Sequence, residues 1–305
     1  MSIFSSAKQK LLSSALLNVP LLMFPTAAFA DCLPNASGTI VACNANDPDG
    51  FIAGDAVTIN VNPAATVDGP LTVGVAGRVN NEGIIGNTGN STVTTGGNST
   101  VANTRVATLN GAVVMGSTAA GQVNTIDNRG AFNATITSAG ALNLTNTFSG
   151  LDIGIINGAI TSTGATSIAN VGASSQINGA ITLGAGNDSI SNDGTIVGAI
   201  AFGAGTTTLT NAATGTITGA ISASGDTTIT NGGTITGNIT LGAGNDLITT
   251  TGTITGNINM GGGNNTIGFG STAALPSGTL TADAAGLNTI NLFGSAADTL
   301  NIAVT

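Results

Sequence analysis

The sequence predicts an all-β chain wound as a right-handed parallel β-helix (β-solenoid), with about twenty residues and three short strands per coil. Three observations carry this. From Gly158 onward a Gly-Ala-Ile or Gly-Asn-Ile phrase recurs six times, its glycine at Gly158, Gly179, Gly198, Gly219, Gly237 and Gly256, at intervals of 21, 19, 21, 18 and 19 residues. Three apolar columns run in step: Ile160, Ile181, Ile200, Ile221, Ile239, Ile258; then Ile168, Ile190, Leu209, Ile229, Ile248, Ile267; then Ile177, Ile196, Ile217, Ile235, Ile254. The anchors are flanked by Thr, Ser or Asn, as in Thr216-Ile217-Thr218 and Thr234-Ile235-Thr236, an out-in-out alternation of period two built on β-branched side chains.

Each unit therefore reads as three strands and three corners. The corners are rich in Gly and Asn, as in Leu183-Gly184-Ala185-Gly186-Asn187 and Thr230-Asn231-Gly232-Gly233, residues that accept the positive φ of tight turns. One coil cannot bury its apolar face alone, whereas coils stacked at roughly 4.8 Å share a continuous interior. Asn170, Asn192, Asn211 and Asn231 recur at nearly one offset, with Thr250 next. They read either as a structural asparagine ladder bonding along the stack or as residues that merely suit turns. Looser versions of the pattern occur upstream at Val79-Asn80-Asn81-Glu82-Gly83-Ile84-Ile85, Asn124-Thr125-Ile126-Asp127-Asn128 and Ala134-Thr135-Ile136-Thr137. The solenoid is expected over residues 51–305, on the order of twelve coils and roughly 60 Å long.

Residues 1–30 combine Lys8 and Lys10, an apolar run from Leu11 to Phe24, and Ala28-Phe29-Ala30, the small-x-small pattern of a signal-peptidase site. Export with a mature start at Asp31 is expected. Pro20 and Pro25 interrupt the run and argue against a transmembrane helix; Asp31 argues against a lipid anchor on Cys32. Residues 31–50 read as an N-terminal cap closed by a disulfide between Cys32 and Cys43, the only cysteines, in an exported chain where disulfides persist.

Without Lys8 and Lys10, three basic residues (Arg78, Arg105, Arg129) face fourteen acidic ones, a balance of −11. No basic stripe exists for phosphates, so nucleic acid is excluded as a partner. The chain has no His, Tyr or Trp, which removes the usual general base, metal-binding imidazoles and aromatic sugar platforms. We expect no enzyme, no catalytic or cofactor-binding residues, and no cofactor with the possible exception of Ca2+. The surviving catalytic alternative is a carbohydrate-active β-helix enzyme using Asp226 and Asp246, placed on adjacent coils in small solvated turns, with a cleft formed by the irregular coils between Gly86 and Gly150. The metal alternative rests on Asp188 and Asp246: Gly184-Ala185-Gly186-Asn187-Asp188 and Gly242-Ala243-Gly244-Asn245-Asp246 resemble half of the calcium-binding nonapeptide of RTX proteins. An ice-binding alternative rests on the ranked Thr-x-Thr triplets at 216–218, 234–236 and 253–255.

The export signal, the early Cys pair, the Asp47-Pro48-Asp49-Gly50-Phe51 lead-in and the Gly-Thr-Ile-Thr-Gly-Asn-Ile refrain at 233–239 and 252–258 resemble passenger regions of autotransporter outer-membrane proteins. The likeness covers residues 31–305. It implies a Gram-negative cell-surface, outer-membrane or extracellular location and an adhesion role toward a host, a neighbouring cell, a matrix or a polysaccharide. It also implies a C-terminal outer-membrane barrel, which needs many strands of about ten residues; none is read here, so a passenger fragment or truncated frame is expected. A low-charge surface rich in Ser, Thr, Asn and Gly leads us to expect self-association.

Overall fold

The computed structural model describes residues 32–86, 91–271, 273, 277–282, 286–292 and 302–304. The expected leader over residues 1–30 and the start at Asp31 lie outside them. Among the described residues there is no helix. The chain passes in turn through three sheets, and each strand pairs with its counterpart one coil on. The first sheet has 14 strands, the second 10 and the third 13, and every pairing is parallel except that of the outermost strand, Leu33–Pro34, with Ile40–Cys43. The described architecture is thus a β-solenoid.

The three isoleucine columns are the core of the three sheets. In the first, Ile168, Ile190, Leu209, Ile229, Ile248 and Ile267 pair in register; the column from Ile177 to Ile254 does so in the second, and that from Ile160 to Ile258 in the third. All are at most 2% exposed. Fully burying one such side chain stabilises the fold by about 1.5–3 kcal/mol, and each coil contributes three. The glycine of the refrain sits where the second sheet turns into the third. Gly219 has a φ of 149° and Gly237 of 146°, and a β-carbon on either would overlap the carbonyl oxygen of the glycine one coil before, Gly198 or Gly219. Only glycine satisfies both the left-handed backbone and the close approach, so glycine stacks on glycine.

The asparagines form a buried ladder that is longer than the four residues read from the sequence. Eight of them, Asn81, Asn103, Asn128, Asn146, Asn170, Asn192, Asn211 and Asn231, are each at most 1% exposed. Each donates its Nδ2 to the Oδ1 of the next at 2.7 or 2.8 Å, and Asn231 ends the series on Thr250 Oγ1. The second amide hydrogen reaches a backbone carbonyl of the second sheet one coil on, as in Asn170 to the Thr195 oxygen and Asn192 to the Thr216 oxygen. The ladder therefore fastens neighbouring coils and the corner between two sheets at once. A shorter ladder lies outside, at the turn into the third sheet, where Asn133, Asn157 and Asn178 each donate to the asparagine one coil before.

At the N-terminal end the boundary differs from that expected. Ile40–Cys43 pairs in parallel with Thr58–Val61, so stacking begins inside the segment read as a cap, ahead of Phe51. Only Leu33–Pro34, antiparallel to that first rung, lies over the end. Cys32 and Cys43 are bonded to each other and tie this lid strand to the rung beneath. Pro34 lacks an N–H and so blunts the edge. Asp47, 3% exposed, accepts the backbone N–H groups of Cys32, Asp49 and Gly50, which holds the lid and the first corner together.

Truncating Asn192 to Ala breaks two links of the buried ladder and leaves neighbouring amide and carbonyl groups unpaired. We predict a loss of about 2–3 kcal/mol, read as a lower urea midpoint, against less than about 1 kcal/mol for Asn178→Ala on the exposed ladder.

Candidate functional site

Positive charge is concentrated in one place among the described residues. Arg78, Arg105 and Arg129 are all the basic residues among those described, and all three line a single cleft of about 790 Å³, together with Glu82, Asp127 and Asp152. The cleft lies along the first sheet and its corner toward the second; it overlaps the expected span from Gly86 to Gly150 but extends beyond it on both sides, to Arg78, Asn80 and Glu82 and to Leu151 and Asp152. Arg78 opens the strand Arg78–Asn81, Asp127 lies on the outer face of Asn124–Asn128, and Arg105 and Arg129 sit on the corners that follow the ladder residues Asn103 and Asn128. Its far wall comes from an enlarged corner. Between Leu142–Thr147 and Ile155–Ile156 the chain uses residues 148–154, whereas the preceding coil crosses the same corner with Arg129-Gly130 alone. That loop is pinned by the Ile153 N–H to the Arg129 carbonyl at 2.7 Å, and it presents Ser149, Leu151 and Asp152 to the cleft.

The three guanidiniums are unequally committed. Arg129 Nε lies 3.3 Å from Asp127 Oδ1; the hydrogen bond and charge of Asp127, with a smaller contribution from Asp152, hold it protonated above its ordinary range. Arg78 donates its Nε to Asn80 Oδ1 at 2.6 Å. Arg105 is exposed and makes no hydrogen bond or ion pair with the described residues. The next residue, Val106, has a φ of 62°. Among the described non-glycine residues with positive φ it alone is β-branched, and such a conformation costs on the order of 1–3 kcal/mol. Strain is thus stored beside the uncommitted cation. The sequence reading used these arginines only as a count. The available signal was their position, since each falls within three residues of a ladder asparagine on one of three consecutive coils.

The acidic residues singled out from the sequence stand elsewhere, at the corner from the third sheet into the first. There the expectation of solvated turns holds for Asp226, which is exposed, and fails for Asp246. Asp188 and Asp246 are 3% and 2% exposed and point inward, in one buried column with Thr166, Thr207, Thr227 and Asn265. Asp188 Oδ1 accepts the Thr166 N–H at 2.9 Å, and Asp246 Oδ1 accepts the Thr227 N–H at 2.8 Å. Burial pushes both carboxyls up to about 6 from an ordinary 3.8, against the pull of those hydrogen bonds; the charge of Asp226 adds to the rise at Asp246. The Oδ2 atoms of both acids and Thr207 Oγ1 have no hydrogen-bond partner among the described residues. Asp226 is one residue out of phase: it is exposed, and it accepts the Asn245 N–H. Alternation along the strand thus turns Asp226 outward and Asp246 inward, and the two do not converge on one substrate position.

Asp188 and Asp246 are not brought together either. Two intervening threonines set them three coils apart, roughly 14 Å, and each commits one oxygen to the neighbouring backbone. Among the described residues no group of three or more Cys, Asp or Glu side chains is placed to hold a metal ion. The Leu183 and Leu241 that replace the leading glycine of the RTX-like phrase are buried core residues. The Thr-Ile-Thr triplets stack in the second sheet, with Thr218, Thr236 and Thr255 exposed and Val197 heading their rank. Comparable columns face outward from the first sheet, as at Thr210, Thr230 and Thr249, and from the third, as at Thr137, Thr161 and Thr182.

No protein-family model, no curated protein and no solved structure matches this chain.

The buried acids give the fold a pH dependence with a definite sign. Their folded pKa of about 6 lies above the unfolded value of about 4, so between these pH values the folded state binds more protons. Stability then rises as pH falls from 7 to 4. Asp188→Asn keeps the oxygen that accepts the Thr166 N–H and supplies a donor. We predict that it stabilises the chain at pH 7 by about 1–2 kcal/mol and flattens the gain between pH 7 and pH 5; urea midpoints at both pH values check this, and an unaltered pH response in the variant would contradict it.

Proposed function

We propose that the chain is a non-enzymatic contact scaffold, exported and displayed or released at a cell surface in the manner of autotransporter passengers. The observation that carries this reading is the set of outward faces on which threonine hydroxyls stay in register from coil to coil in all three sheets. Such faces offer many equivalent weak hydrogen bonds at a repeat of roughly 4.8 Å. A partner with its own repeating polar groups, such as a matrix polymer or a glycan coat, then binds through summed contacts and not through one pocket. The short corners and the stacked core keep the faces straight, so little further ordering is needed on contact. Columns of exposed Thr and Asn carry no charge and do not repel a polar surface.

Two measurements test the proposal together. An antibody to the repeats should label intact cells or the culture medium; label confined to the cytoplasm would remove the display reading. Beads coated with the chain should be retained on polysaccharide or cell layers. Changing three stacked threonines of one face to valine, such as Thr218, Thr236 and Thr255, should lower retention about tenfold or more when that face is the one in use. Release of new reducing ends from the polysaccharide would instead favour an enzyme.

A further inference from the structure

We propose that the arginine cleft is a binding site for a carboxylated saccharide, with Arg105 taking the carboxylate. The inference rests on how the cleft distributes its polar groups. Among the described residues cationic donors occur only here, so a carboxylate finds a guanidinium partner nowhere else on the described surface. Of the three guanidiniums, Arg129 is held by Asp127 and Arg78 has its Nε committed to Asn80. Arg105 has spent none of its donors, and a guanidinium presents a planar fork that matches a carboxylate in bidentate geometry.

The acids set the rest of the ligand. Glu82 and Asp152 line the cleft, and their carboxylates take no hydrogen bond from a described side chain. They are acceptors open to the cleft, and sugar hydroxyls can donate to them in place of water. With three arginines against Glu82, Asp127 and Asp152 the cleft is charge-balanced, so a densely charged polyanion gains little while a chain with well-spaced carboxylates fits. Leu151, 72% exposed on the rim, gives an apolar surface for the C–H face of a ring. The volume of about 790 Å³ falls within the range of roughly 300–1,000 Å³ typical of small-ligand sites. The enlarged corner at 148–154 and the strained Val106 both serve to shape this place among the irregular coils.

This deepens the contact-scaffold reading by naming a ligand class, and rests on that reading only for the ligand's extracellular source. The test is calorimetric titration of the full chain with a tetrasaccharide carrying glucuronate in alternate rings, its carboxyl-reduced counterpart, and inorganic sulfate. The acidic tetrasaccharide is expected to bind, the reduced one at least tenfold more weakly, and sulfate more weakly still. Arg105→Ala should abolish most of the binding and Arg105→Lys restore only part of it, with unfolding unchanged because Arg105 is exposed. Asp152→Asn should weaken the acidic sugar without strengthening the neutral one. Equal binding of the reduced sugar, equal binding of sulfate, or indifference to Arg105→Ala would each overturn the proposal. Bead retention through the threonine faces does not involve Arg105, so failure here and failure of the scaffold reading are separately visible.

Discussion

In-register parallel stacking is the constraint on which the rest of this molecule depends. Every side chain lies against its counterpart roughly 4.8 Å away in the coils before and after, so a residue type is acceptable only where it tolerates neighbours at the same position. Isoleucine packs on isoleucine and glycine passes over glycine. An amide serves best of the polar groups, because it is donor and acceptor at once and can bond to a copy of itself without limit. Charge does not pass this test. Like charges at that spacing repel by about 1 kcal/mol even in water, and the chain is 6% charged.

The same rule explains where the unusual chemistry sits. The coils after Gly158 are nearly copies of one another and carry no cation. Cationic side chains are admitted only in the irregular coils among the described residues, where consecutive corners differ in length and like charges are kept out of one column. Arg78 sits on a strand, while Arg105 and Arg129 lie on corners of four and two residues. The buried ladder runs unbroken beneath them through Asn81, Asn103, Asn128 and Asn146, so register survives while the surface above it varies. A cleft on a solenoid needs this combination of continuous interior and discontinuous exterior.

What was legible in the sequence follows from the same division. The isoleucine columns, the strand count per coil and the glycine corner were readable because stacking repeats them at nearly constant intervals. Asn170 to Asn231 were readable for that reason. Asn81, Asn103, Asn128 and Asn146 were not, because the coils joining them vary in length and the offset drifts. An Asn-x-Gly signature marks several ladder positions, as at Asn81-Glu82-Gly83 and Asn128-Arg129-Gly130, and anchors the register better than interval counting. The start of the solenoid was misplaced because the first rung, Ile40–Cys43, has the composition of any other rung. The cleft depends on which corners protrude together, a property of the stack that no single coil displays.

Asp188 and Asp246 show how fine the distinction is. Asp226 and Asp246 end neighbouring, similar corners, but one residue of phase puts the first outside and the second inside, since side chains alternate along a strand. Inside, a carboxylate lacks the donor that lets asparagine stack on itself, so it must borrow one from the backbone of the coil before, as both acids do. The oxygen left over is then unpaired, and burial favours the neutral acid. Two such acids in adjacent coils would double the penalty; threonines hold the intervening places. Asn265, directly after Asp246 in the column, fills an equivalent position with an amide and accepts the Asp246 N–H. The interior therefore favours groups that can repeat, and recognition of anything outside is left to the faces and to the enlarged corner at 148–154.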